Sequence, residues 1–211
     1  MGNTREEILR ALRQRARAIR FEHAREEPRH FPDLAARFEQ TLRRVKGEVW
    51  RAESWPHALE VLNHVLDALE ATRIAVNPDP PLDTVDWDQR WPDRTWYVVG
   101  RSEGEIRTFC VQADVGISGA RVALAETGSV VVGSGPQHSR EVTLLPPTHI
   151  VLVGTSRLVP DLFAWMTSPP DPLPAALTII SGPSKSADIE QTLAVGVHGP
   201  KRFIVILYKD G

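Results

Sequence analysis

Six apolar runs set the terms for this chain: Trp96 to Val99, Arg107 to Gln112, Ser129 to Val132, Ile150 to Val153, Leu177 to Ile180 and Phe203 to Tyr208. Several are too continuous for a sheet with one face in water, where apolar and polar residues should alternate. They predict buried strands covered on both sides. Between them lie helical patterns at Gly119 to Thr127, Arg157 to Thr167 and Ser186 to Val195, so strand and helix alternate to the terminus. That alternation predicts an α/β fold of three layers around a largely parallel sheet.

Upstream, Ile8, Leu9, Leu12, Ala16 and Ile19 recur at helical spacing and predict an amphipathic helix over residues 4–25. Asp33 reads as the cap of a second helix through Leu34, Phe38, Leu42 and Val45, closed near Gly47. A short strand follows at Glu48 to Ala52, then a helix from about Trp55 to Glu70 and a strand at Arg73 to Val76. The segment NPDPPLDTVDWDQRWPDR carries four of the seventeen prolines without a sustained period, and reads as a surface loop. The expected organisation is therefore an N-terminal helical leader, residues 1–46, and an α/β domain, residues 47–211.

Charge narrows the function classes. The chain of 211 residues has a formal net charge of −2, so no bulk positive field gathers nucleic acid or anionic lipid. Residues 1–51 hold 13 Lys and Arg against 8 Asp and Glu. The glutamates interleaved with the early arginines read as a solvated helix face. The leader either docks on an acidic partner or a second copy, or caps the sheet. No stretch approaches the roughly 18 apolar residues of a membrane span, and the start lacks the apolar core of a signal peptide, so a cytoplasmic protein is expected. Cys110 is the only cysteine, which rules out an internal disulfide and a cysteine-ligated cluster within this chain. Its strand-like flanks read as a buried small hydrophobe. His23 and His30, and likewise His57 and His64, stand too far apart to share a metal without other ligands, so no metal site is expected.

Three segments carry candidate chemistry. In LTIISGPSKSADIE a buried strand runs through Gly182 to a polar helix start at Ser184, Lys185 and Ser186, where free amides and a lysine favour an anion. The same residues also read as a plain strand-to-helix turn capped by Ser184 or Ser186. In GVHGP, His198 before Gly199 offers an imidazole for acid–base work or anion contact, or is a turn residue. In ALAETGS, Glu126 precedes Thr127 and Gly128. An apolar neighbourhood would fit this carboxylate for proton transfer or nucleophilic attack, and the alternative is a helix-end glutamate followed by a stop glycine. Gly133-Ser134-Gly135 lacks the third glycine of a dinucleotide fingerprint.

The segments ADVGISGARVALAETGSVVV, LLPPTHIVLVGTSRLVPDL and SGPSKSADIEQTLAVGVHGPKRFIVILYKD together resemble the LUD domain family. The similarity is strongest over residues 112–210 and extends more loosely back to about residue 47. It rests on two motifs in order, ETG and GPSKSADIE with GVHGP. The resemblance implies a fold similar to the sugar-phosphate isomerase and CoA-transferase superfamily. It also implies participation in the conversion of L-lactate to pyruvate, alongside two iron–sulfur lactate utilization proteins that would hold the clusters, with no cofactor bound by this chain. Two expectations follow. In one, a non-redox subunit docks on cluster-bearing partners, and Ser184, His198 and Glu126 line a pocket for a small carboxylate or phosphate, with Thr127, Gly128, Gly182, Lys185, Ser186 and Gly199 as further ligand-binding candidates. In the other, the chain is a transferase or isomerase acting on an acyl-CoA or phosphorylated small molecule, with Glu126 as nucleophile or base.

Overall fold

In the computed structural model, which describes residues 29–167, 174–187, 193–195 and 199–210, the chain enters through helix α1 (Leu34–Arg44). Asp33 caps it, its carboxylate accepting from the Ala36 amide at 2.9 Å. At the other end the Gly47 amide closes onto the Leu42 carbonyl at 3.0 Å. Both ends fall where the sequence pattern sets them. The helix expected over residues 4–25 lies outside the described residues.

The central sheet has six strands, all parallel: β1 (Glu48–Ala52), β2 (Arg73–Val76), β3 (Thr95–Val98), β4 (Val115–Gly119), β7 (Thr148–Gly154) and β12 (Arg202–Tyr208). Their spatial order is β1-β12-β7-β4-β2-β3. One face presents Ile74, Val76, Ile117, Ile150, Leu152, Ile204 and Ile206 to helix α2 (Trp55–Ala68), whose Leu59, Leu62 and Leu66 point inward. Ser54 caps α2. Burying one such leucine contributes about 2 kcal/mol.

The same face is covered by the proline-rich segment, which is not a plain surface loop. It holds a turn of 3-10 helix (Leu82–Thr84) and the single-turn α3 (Trp87–Arg90), and it buries Leu82, Trp87 and Trp91. Trp87 lies with its ring centroid 4.8 Å from Trp96 of β3, and the Trp96 indole donates to the Trp91 carbonyl at 3.2 Å. Tryptophan burial, rather than a hydrophobic period, orders this segment.

On the opposite face, Ala75, Tyr97 and Val99 pack on α4 (Ile106–Val111) and α5 (Arg140–Leu144). Residues 107–112, expected as a strand, are thus mostly helical. Ile106, Phe109 and Cys110 sit at i, i+3 and i+4, and the short run allowed either period. Val151, Val153, Phe203 and Val205 pack against Phe38 and Leu42 of α1 and against a second sheet. Phe38 and Leu42 are fully buried, so α1 shares a core with the α/β domain.

That second sheet revises the single-sheet expectation. Its order is β8 (Leu158–Val159), β5 (Val122–Leu124), β6 (Ser129–Ser134), β9 (Ala176–Ile180). The β5–β6 and β6–β9 pairs are antiparallel and β5–β8 is parallel. Residues 119–127, expected as a helix, form the end of β4, strand β5 and a turn, because Val122 to Leu124 pair with Ser129 to Val131. Small residues set no helical stripe strong enough to compete with that ladder. Residues 157–167 divide between β8 and α6 (Leu162–Met166), which Asp161 caps. The helix expected over 186–195 is replaced at both ends by strands β10 (Lys185–Ala187) and β11 (Leu193–Val195), paired antiparallel. Residues 188–192 lie outside the described residues. Among the described residues no helix is long and apolar enough to cross a membrane.

Candidate functional site

Strand order locates the crevice that open α/β sheets use. The chain leaves β2 for β3 on one side, then returns to lay β4 on the other side of β2 and moves on to β7. Between the carboxyl ends of β2 and β4 the two connections diverge, which is where such sheets place their ligands. Asn77 and Asp79 follow β2 there, and Gly119 ends β4.

Asn77 is buried and pins the β6–α5 loop. Its amide nitrogen donates to the Ser139 carbonyl at 3.0 Å, and its amide oxygen accepts from the Ser139 backbone at 2.9 Å. Asp79 accepts from the Gly119 amide at 3.0 Å. A side chain on Gly119 would strike Asp79, since its Cβ would lie 2.6 Å from that of the aspartate. The other Asp79 oxygen lies 3.1 Å from His138 Nε2, too oblique for a good hydrogen bond but close enough for an ion pair. Asp79 pushes the His138 pKa up, while partial burial and the Arg121 charge act against it. A tight loop presents this imidazole, with the Gly135 and His138 backbones exchanging two hydrogen bonds of 3.0 Å. Glycine at 133 leaves room for Arg121, because a Cβ there would lie 2.5 Å from the guanidinium Nε.

Beside His138 opens a cavity of about 490 Å³ bounded by Val99, Ile106, Ser134, Ser139, Arg140 and Glu141. Ser139 caps α5 and bonds the Glu141 carboxylate, which holds that acid below its ordinary range. The crevice thus combines an acid-supported imidazole, a nearby arginine and an apolar wall, a set suited to a small organic anion.

The residues singled out from sequence that are described fall elsewhere. Glu126 sits in the β5–β6 turn, its carboxylate paired with Arg29 and its amide donating to the Pro160 carbonyl at 2.9 Å. Thr127 Oγ1 contacts Ser129 Oγ at 2.7 Å, and Ser129 Oγ contacts Ser181 Oγ at 2.6 Å, a hydroxyl chain that joins the ETG turn to the SGPSKS turn. Both turns close on α1. Gly128, at φ 66°, lies against the Leu42 backbone, and Gly182, at φ 98°, against Val45. Lys185 donates to the Val45 carbonyl at 2.8 Å. The lysine and its neighbours open a strand, so no helix start aims free amides at an anion there.

Ser184 and Gly199 do meet. The Ser184 amide donates to the Pro200 carbonyl at 2.9 Å, and both residues, with Gly182, border a second, smaller cavity. Glu126 is not among the residues lining it. Ser186 pairs with Ala194 through β10 and β11, while its side chain and all of His198 lie outside the described residues. Sequence reasoning missed Asn77, Asp79, Arg121, His138 and Ser139. The available signal was a polar residue directly after a buried strand, as at Asn77, but its meaning depends on strand order.

Residues 35–208 match the LUD domain. This chain belongs to the LUD domain family. Among curated relatives, the LUD chain is 36% identical over 161 residues to lactate utilization protein C of Halalkalibacterium halodurans, covering 72% of this chain and 69% of that protein. It is 37% identical over 133 residues to the Bacillus subtilis protein of the same name, covering 60% of this chain and 55% of the relative. With Bacillus mycoides lactate utilization protein C 1 the match is 40% over 123 residues, 56% of this chain and 52% of the other. The LUD chain therefore spans about half the length of most of these relatives. A crystal structure of a DUF162 family protein from Deinococcus radiodurans superposes with a TM-score of 0.56 at 22% identity, covering 83% of this chain and 96% of that one. At that identity the likeness concerns the fold.

Proposed function

We propose that this LUD domain chain is a cytoplasmic, non-redox component of lactate utilization, holding a small carboxylate in the crevice beside His138 while two iron–sulfur partner proteins carry the electrons. The His138–Asp79 pair at the strand divergence is the observation that carries the reading. A protonated His138 donates to a carboxylate oxygen, and Asp79 keeps the imidazole charged. Arg140 on the cavity wall adds a second positive charge, and Val99 and Ile106 meet the methyl end of a molecule the size of lactate. The names of the relatives supply the substrate class.

The division of labour rests on the donor set. Cys110 is fully buried, and burial, with a smaller push from Glu141, raises its thiol to about 12. Such a sulfur stays protonated and is a poor metal ligand. Among the described residues no three His, Cys, Asp or Glu side chains converge on one point.

The test is genetic and biochemical together. The chain is expressed in a Bacillus subtilis strain lacking its own lactate utilization protein C, and growth on L-lactate is scored for the wild type and for His138→Ala. Rescue by the first and not the second, with iron–sulfur proteins coeluting on affinity purification, is the expected result. Lactate oxidation by the purified chain alone, or rescue indifferent to His138, overturns the proposal.

A further inference from the structure

Helix α6 is apolar on more than the face it packs. Its Trp165 lies on Val122, Leu124 and Val131 of the second sheet. Leu162, Phe163 and Met166 stand at i, i+1 and i+4, which places them together on a different side of the helix within about 100° of arc. Phe163 is 62% exposed and Met166 51%. Isolated exposed apolar side chains are ordinary, whereas an adjoining set marks a contact surface.

The described chain begins beside this surface. The Arg29 amide donates to Asp161 Oδ2 at 3.0 Å, and Asp161 Oδ1 accepts from the Ala164 amide at 2.7 Å, so one buried carboxylate ties residue 29 to the first turn of α6. The Arg29 guanidinium also pairs with Glu126. The residues before Arg29 therefore depart from the amino end of α6, and their sequence carries the stripe Ile8, Leu9, Leu12, Ala16 and Ile19. Such a stripe is stable as a helix only against an apolar surface. From residue 25 to residue 29 the chain spans at most about 14 Å, and α6 is only about 7.5 Å long, so the end of the stripe is within reach of Phe163 and Met166.

Other occupants fit less well. The segment directly after α6 reads SPPDPL over residues 168–173, with three prolines and a single leucine to offer. A second copy or a separate protein would have to compete with a tethered segment whose effective concentration is roughly millimolar.

We infer that residues 4–25 dock within the same chain, apolar stripe inward, on the Leu162, Phe163 and Met166 face of α6. The leader is then cover for the outer end of the second sheet and not an arm held out to another protein. This holds whatever the His138 crevice binds.

The experiment uses the full chain, labelled with 15N and carrying a nitroxide at Thr167→Cys, the exposed residue that ends α6. Cys110 is fully buried and stays unlabelled. The expected result is loss of amide signal across residues 8–19, restored when ascorbate reduces the nitroxide. A mixture of 15N chain without the nitroxide and 14N chain with it is expected to show no such loss. Leu12→Asp in the leader is expected to abolish the loss, as is Phe163→Asp combined with Met166→Asp, two exposed side chains outside the described core. Signal loss in the mixture would give the face to a second copy. No loss in the doubly labelled chain would put the leader elsewhere, and loss indifferent to both variants would mean proximity without docking. Each of these three results overturns the inference.

Discussion

Gly128 lies so close to Leu42 that a Cβ built on the glycine would come within 2.2 Å of the leucine backbone nitrogen. The β5–β6 turn is thereby pressed onto α1 backbone to backbone, at a left-handed φ of 66°. The ETG motif is a packing device at its third position. Gly128→Ala adds both a steric conflict that no rotamer relieves and an unfavourable φ, so a loss of about 3 kcal/mol or more is expected in urea unfolding. A variant as stable as the wild type would mean that the turn and α1 separate readily.

Lys185 is similarly tied to α1, through the Val45 carbonyl at 2.8 Å. Orphan carbonyls at a helix carboxyl end favour a cation. Lys185→Met is expected to lower stability by about 0.5–1 kcal/mol and to leave lactate binding unchanged in calorimetry. The opposite pattern, intact stability and weakened anion binding, would return Lys185 to the anion-site role that its sequence context offers.

The proposed role of His138 has a pH signature. Asp79 raises its pKa, so the positive charge persists above the ordinary histidine range, and carboxylate binding should fade as pH rises through the folded value. Asp79→Asn removes the support while Arg121 still opposes protonation. Its binding profile is expected to shift toward lower pH, as followed by calorimetry from about pH 5 to 9. Coincident profiles for the two proteins would separate His138 from binding.

Cys110 offers a simple check on the core of α4. With its thiol raised to about 12 and no exposed surface, it should react with a disulfide reagent at about pH 8 only after unfolding. Fast labelling of the native chain would show that α4 opens locally.

The contrast between legible and hidden parts follows from the range of the interactions involved. Asp33, Gly47 and the leucines of α2 act within one or two turns, so their spacing alone located two helices. Strands β7 and β12 announced themselves by continuous burial. The Val122 to Leu124 segment did not, because its strand state comes from pairing with Val131, Val130 and Ser129 and not from any period of its own. The same holds for Lys185 to Ala187, fixed by partners at 193–195. Of the candidate site residues, Ser184 and Gly199 adjoin one another at a cavity. The chain between Asp79 and His138 holds β3, α4, β4 and the β5–β6 hairpin, and neither residue lies in a local motif. Only the order of β2 and β4 makes them neighbours.

His149 should leave its own mark on acid stability. Burial pushes its folded pKa down to about 3, well below the ordinary value of 6.5, so between these values the unfolded chain binds a proton that the native chain does not. Stability therefore rises with pH across that window and is lost as pH falls below about 6.5, with a limiting slope of about 1.4 kcal/mol per pH unit from this one group. Replacing the imidazole in His149→Phe removes the titrating group. Urea unfolding at about pH 7.5, 6 and 5 should then give a shallower decline than in the wild type, even if the variant starts from a lower stability. Equal slopes in the two proteins would place His149 in a hydrated setting where it titrates as freely folded as unfolded.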